Sequence, residues 1–184
     1  GCLSGTLGYL CTELERNVPY ASAIAYARAQ GYTEPDPRQD LSGKDVARKA
    51  LILARTAGWR LEETELTIEP LYPEHLADIP VKAFMAQARS LDEAYAARVQ
   101  EAESSGRVLR YAARITPNGG SVGLVEVERD SSLGALHGPA NYVALQTERY
   151  NKSPLAISGP GAGRQVTAAG VMGDIIKLAQ HMAE

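Results

Sequence analysis

The stretch from residue 108 to 127 constrains the fold more than any other part of the chain. Two apolar runs, 108–115 and 122–127, flank Pro117-Asn-Gly-Gly120. An Asn-Gly step between such runs predicts an antiparallel hairpin. Before it, the pattern is helical. Leu3, Leu7, Leu10 and Leu14 recur at three- and four-residue intervals, which predicts a helix over 4–15 with one apolar face. Residues 21–30 are alanine-rich and end at Gly31, the usual place for a helix-stopping glycine. Ser42 reads as the N-cap of a third helix, 43–57, which Gly58 closes. A strand over 66–71 and helical pattern over 81–103 follow. Beyond the hairpin, strands are expected over 141–147 and 155–158, and a last helix over 164–182. Helices first and antiparallel strands later predict an α+β fold rather than a doubly wound sheet.

Composition removes several function classes. The 184 residues suit one domain, 1–184, with a real core. A net charge of -3, with the signs interspersed, supplies no basic patch for nucleic acid. No apolar run approaches the ~20 residues of a membrane span, and the first residues lack the basic-then-apolar pattern of a signal peptide. Cys2 and Cys11 are too few for a disulfide framework, lack metal-ligand spacing, and read as small apolar residues. A reducing, cytoplasmic setting is expected.

Residues 31–40 carry the most chemistry. Pro35 and Pro37 forbid helix there and disfavour a central strand. The loop and the helix after it bring Glu34, Asp36, Asp40 and Asp45 close in sequence to Lys49. Such a loop is either a site for a cationic group or a solvated acidic turn. Asp45 and Lys49 stand four apart, on one helix face. Lys49 falls beside Val46 and Leu53 at the border of the apolar stripe, Ile52 borders the pair's other edge, and Lys44, Arg48 and Arg55 group towards solvent. The pair is therefore either partly buried with altered proton affinity or an ordinary surface ion pair. A lysine of the first kind can deliver a proton to a carbonyl oxygen as hydride reaches carbon.

Gly159-Pro-Gly-Ala-Gly163 precedes the last helix and could offer backbone N–H groups to an anion, but it lacks the spacing and the following acidic residue of a dinucleotide fingerprint. His75, His137 and His181 are scattered and suggest neither a metal site nor a triad.

Taken in order, these segments resemble homoserine dehydrogenase from end to end. The matching stretches are Ser4-Gly-Thr-Leu-Gly-Tyr-Leu10, Gly31-Tyr-Thr-Glu-Pro-Asp-Pro37 and Asp40-Leu-Ser-Gly-Lys-Asp-Val-Ala-Arg-Lys49. Gly106-Arg-Val-Leu-Arg-Tyr111 and Gly159-Pro-Gly-Ala-Gly-Arg-Gln-Val-Thr-Ala-Ala-Gly-Val171 continue the match. The run from Gly31 to Lys49 is the most specific. The resemblance implies NAD(P)-dependent interconversion of L-aspartate 4-semialdehyde and L-homoserine, on the route to threonine, isoleucine and methionine. It implies that Lys49 gives a proton to the aldehyde oxygen and that Asp45 holds lysine and substrate in register. Glu34 and Asp40 would bind the substrate's amino end, with Gly5, Thr6, Gly31 and Tyr32 lining the pocket. Gly163 and Thr167 would lie against the NAD or NADP nicotinamide.

The resemblance further implies a mostly antiparallel sheet covered by helices on one face. It implies a homodimer through that sheet, to which the strands after residue 106 would contribute; strand faces with Val122, Leu124 and Val127 are compatible with that but do not demand it. A Rossmann domain would come first in the chain, with the glycine fingerprint, a second lysine and a monovalent metal ion site. None of these features occurs in the 184 residues, so this stretch alone is expected not to turn over, and its last helix is expected to pack towards the nucleotide domain. Two other readings stand beside this one. The first is a non-catalytic amino-acid-binding or dimerisation module. The second is a divalent metal site at Glu34, Asp36, Asp40 and Asp45, against which Lys49 would compete electrostatically.

Overall fold

The computed structural model describes residues 1–161 and 163–183; Ala162 of the glycine-rich segment and Glu184 lie outside the described residues. Four helices come first: α1 (Gly5–Glu15), α2 (Tyr20–Ala29), α3 (Arg38–Leu41) and α4 (Lys44–Thr56). A short strand β1 (Leu66–Ile68), α5 (Val81–Gln87) and α6 (Asp92–Ser104) lead to the hairpin β2 (Arg107–Thr116) and β3 (Gly119–Glu128). Strands β4 (Ala140–Leu145) and β5 (Leu155–Pro160) and helix α7 (Arg164–Met182) complete the chain. The class is α+β.

Two ladders are antiparallel, β2–β3 and β4–β5, while β1 joins β3 in parallel. The backbone of the first residues links the two sheets. Gly1 exchanges hydrogen bonds with Ala113 of β2 at 2.6 and 2.9 Å. Cys2 does the same with Tyr142 of β4 at 2.8 and 2.9 Å. Nothing local in sequence announces that join.

Along β2 and β3, Leu109, Tyr111, Ala113, Val122 and Leu124 share one side of the ladder and belong to the helical core. Val122 and Leu124, whose pattern is compatible with a dimer face, lie beneath the helices, because the register turns them inward. Val127 is half-buried on the opposite side. That side of β2 is covered as well: Val108, Arg110 and Ala112 are all buried.

Arg110 is only 2% exposed. It donates to the backbone of Leu109 and Gly134 and pairs with Glu15 at 2.9 Å. A second arginine, Arg129, reaches Glu15 at the end of α1 at 2.7 Å, and the Gly138 N–H meets the Thr12 hydroxyl on the same helix at 2.9 Å. A buried charge persists only with partners of this kind.

Several expected boundaries move for local reasons. A helix does form in the proline segment, because α3 starts directly after Pro37, where a missing N–H is harmless. Gly43, with φ 71°, is the N-cap of α4 rather than Ser42, whose hydroxyl still accepts from the Lys44 N–H at 3.3 Å. The strand expected over 66–71 stops at Ile68, since Pro70 cannot extend the ladder. The helix expected over 81–103 is broken by a 3-10 turn at Ala88–Leu91. The break lets Asp92 accept the Ala21 N–H at 2.8 Å, at a helix start that has no side-chain cap of its own. Burial pushes the Cys11 thiol up to about 12, so it is an inert core residue.

Candidate active site

The start of α1 organises the site. Ser4 caps the helix by accepting from the Leu7 N–H at 3.3 Å, which leaves Gly5 and Thr6 in its first turn. The Thr6 hydroxyl touches the Tyr32 carbonyl at 2.6 Å and lies 3.1 Å from Oδ1 of Asp40. The other Asp40 oxygen accepts the Glu34 N–H at 2.9 Å. Four of the expected site residues, Thr6, Tyr32, Glu34 and Asp40, are thus tied together although 34 positions separate Thr6 from Asp40. Gly31, with φ 71°, makes the turn out of α2 that delivers Tyr32. Pro139 packs beside Gly5, where an added Cβ would come within 3.2 Å of it.

Lys49 reaches the same place from α4. Its ammonium donates to the Leu3 carbonyl at 3.0 Å and pairs with Asp45 at 2.8 Å. An ammonium has three donors, so one N–H remains for a ligand oxygen. Of the two readings the sequence leaves open, the geometry matches the exposed ion pair. The side chains of Lys49 and Asp45 are 45% and 57% exposed. The stripe that packs is Val46, Ala47, Ala50, Leu51 and Ala54, whereas Ile52 and Leu53, on either side of Lys49, are exposed. Arg48 lies exposed on α4, and Arg55 is tied to the Leu61 carbonyl and Glu62.

The carboxylates do not converge on one point. Asp36 is held by Arg38 at 2.7 Å, Asp40 by Thr6 and the Glu34 N–H, and Asp45 by Lys49. No group of three or more metal-ligating side chains occurs among the described residues. A divalent ion site needs several oxygens at one point, and these carboxylates are spread over separate partners. A shallow depression of about 530 Å³, bordered by Tyr9, Glu13, Tyr26 and Tyr32, adjoins the loop.

Gly163 and Thr167 occupy the first turn of α7, far along the chain from this cluster. Gly163 has φ 131°, open space where a Cβ would be, and a carbonyl that accepts the Thr167 N–H at 2.9 Å. No side chain among the described residues caps α7. None of the described residues of α7 is buried, and Val171, Met172, Ile175, Ile176 and Leu178 are exposed.

Two arginines outside the sequence-derived candidates also shape this region. Arg38 braces the acidic loop, and its signal was an arginine two residues from an aspartate in a proline-bounded turn. Arg110 alternates with Val108 and Ala112 along one strand face, and a charge in an apolar alternation calls for a buried partner.

The fold and this cluster define a class: an α+β domain presenting carboxylates and a lysine on an open face, distinct from the doubly wound nucleotide-binding folds. The chain belongs to the homoserine dehydrogenase family, whose model matches residues 1–176. It is 43% identical over 185 residues to the chloroplastic bifunctional aspartokinase/homoserine dehydrogenase 2 of Zea mays, covering 99% of this chain and 20% of that protein. It is 39% identical over 194 residues to the homoserine dehydrogenase of Paracoccidioides brasiliensis strain Pb18, covering 99% of this chain and 52% of that protein. The chain therefore spans from a fifth to about half the length of these relatives. Among solved structures, a Candida auris protein described as of unknown function superposes with a TM-score of 0.90 at 36% identity, covering 96% of this chain and 51% of that one. A putative homoserine dehydrogenase from Archaeoglobus fulgidus shares the fold, with a TM-score of 0.72 at 24% identity over 95% of this chain and 48% of that one.

Proposed function

We propose that these residues form the substrate-binding and catalytic half of a homoserine dehydrogenase that interconverts L-aspartate 4-semialdehyde and L-homoserine with NAD or NADP. The observation that carries this reading is the convergence of Lys49 and the Thr6–Tyr32–Glu34–Asp40 network on residues 3–6. The substrate has an ammonium at one end and the reacting oxygen at the other. Glu34 takes the ammonium, helped by the lone pairs Asp40 retains, with Gly5, Thr6, Gly31 and Tyr32 as the wall. Asp45 holds the Lys49 ammonium in place. In reduction, Lys49 passes a proton to the aldehyde oxygen; in oxidation, its neutral amine takes the hydroxyl proton back. The nicotinamide, when bound, supplies or takes up the hydride at the terminal carbon. Gly163 and Thr167 would hold it, and the exposed apolar residues of α7 would pack on the nucleotide-binding domain. The same reading implies a cytoplasmic or equivalent aqueous setting. No helix among the described residues is long and apolar enough to cross a membrane.

The test compares the isolated 184 residues with the same residues joined to a family nucleotide-binding domain that carries the monovalent metal ion site. We expect the joined protein to oxidise L-homoserine and the isolated chain to show no measurable rate with NAD or NADP. Turnover by the isolated chain near the ~10 per second of ordinary enzymes would contradict this division of labour.

Assembly belongs to the same reading. Leu145, Leu155 and Ile157 lie exposed on one face of the β4–β5 ladder, and a homodimer through this sheet would cover them. Sedimentation should give a dimer at tens of micromolar, a range stable interfaces exceed comfortably. A monomer there would remove the sheet-mediated dimer.

A further inference from the structure

We propose that Arg38 and Asp36 form a positioning clamp that presets the acidic loop for the substrate's ammonium group, a role that rests on the pocket proposed above. The argument begins with α3, which has four residues. A helix of one turn has no stability of its own, yet it carries Asp40, on which both Thr6 and the Glu34 N–H depend. Its far end is fixed by the buried Leu41, whose carbonyl accepts the Leu71 N–H at 2.9 Å, and its start needs side-chain ties.

Arg38 supplies them. Its Nε and Nη2 fork onto the Asp36 carboxylate at 2.9 and 2.7 Å, and Asp36 also accepts the Arg38 N–H at 3.1 Å. The remaining nitrogen, Nη1, has two N–H groups shared among the carbonyls of Leu76, Ala77 and Ile79 at 3.1, 2.6 and 2.6 Å. The guanidinium lies 5.4 Å from the centroid of the buried Phe84 ring. The side chains of Arg38 and Asp36 are 11% and 26% exposed. Hydrogen bonding to the guanidinium holds the Asp36 carboxyl below its ordinary range. One side chain thus ties the middle of the loop to residues 76–79, while Asp40 ties its end to α1. A planar five-donor fork is required, which a lysine cannot reproduce. Glu34 stands two residues before Asp36, and its N–H is held by Asp40 at 2.9 Å, so its place depends on the path of the loop between them.

The test uses the complete enzyme, with its nucleotide-binding domain, and the variants Arg38→Met, Arg38→Lys, Asp36→Asn and Glu34→Ala. A positioning role predicts that Arg38→Met raises KM for homoserine roughly 10-fold or more, while kcat and KM for the dinucleotide change less than about threefold. Arg38→Lys should recover little. Asp36→Asn keeps the shape and should give a smaller rise of the same kind; it carries the test if Arg38→Met does not fold. Glu34→Ala should raise the same KM. If Glu34→Ala raises KM while folded Arg38 and Asp36 variants lose only thermal stability, the clamp is overturned and the pocket stands. If Glu34→Ala leaves KM unchanged, the pocket assignment fails and the clamp with it.

Discussion

Lys49→Ala in the complete enzyme is expected to lower kcat roughly 10²–10⁴-fold, the usual worth of general acid–base help. The reason lies in when the contact matters. A proton donor stabilises oxygen most as negative charge develops there, so its loss falls on the transition state more than on substrate capture. Lys49 is suited to this by its ties. Asp45 at 2.8 Å and the Leu3 carbonyl at 3.0 Å fix the ammonium while leaving one N–H. Half-exposed as it stands, the pair meets water, which weakens charge–charge interactions. Its full effect requires that substrate and the nucleotide-binding domain cover that face. Arg48→Ala, one residue away and exposed on the same helix, should change kcat little. The reverse pattern, with Arg48 required and Lys49 dispensable, would show that the helix face had been assigned wrongly.

Gly43→Ala is expected to destabilise the protein by about 2–5 kcal/mol. Of this, roughly 1–2 kcal/mol comes from forcing a Cβ into the left-handed region and ~1–3 kcal/mol from overpacking. Gly43 has φ 71°, and an added Cβ would overlap the Tyr111 hydroxyl. That hydroxyl donates to the Glu69 carbonyl at 2.7 Å and cannot simply swing away. Because Gly43 opens α4, the helix that bears Asp45 and Lys49, the damage should reach the site as well as the core. Urea unfolding of Gly43→Ala, Tyr111→Phe and the double variant separates the two causes. Removing the hydroxyl should recover the overlap part and leave the backbone part, giving a coupling between the positions. A Gly43→Ala protein as stable as the parent would mean that the turn is not as tight as the geometry requires.

How much of this was legible beforehand depended on whether the cause was local. Hairpin, helix stops at Gly31 and Gly58, and the last helix all follow from turn chemistry and spacing within a few residues. The face shared by Asp45 and Lys49 did too. Whether that face was buried did not, because Leu53 and Ile52 read as part of an apolar stripe until the sheet showed which side of α4 it takes. Thr6 and Asp40 meet across 34 positions, Arg110 and Glu15 across 95, and Gly1 and Ala113 across 112. Periodicity carries no information about such pairs. Arg38 illustrates the same limit in a smaller space. Its link to Asp36 is visible in the sequence, but its three carbonyl partners lie some forty residues on, in a segment with no regular pattern to mark them. The proposed roles of the loop residues come from family resemblance, while the geometry brings Thr6, Tyr32, Glu34, Asp40 and Lys49 to one end of α1.

The most direct measurement is the split between kcat and KM for homoserine oxidation in the complete enzyme, compared for Lys49→Ala and Glu34→Ala in one assay. The account predicts that Lys49→Ala loses kcat with KM little changed. Glu34→Ala should raise KM with kcat largely kept, because the ammonium is held alike in ground and transition states. Equal kcat and KM values in both variants and the parent would contradict the assignment of this cluster as the place where homoserine is held and its oxygen protonated.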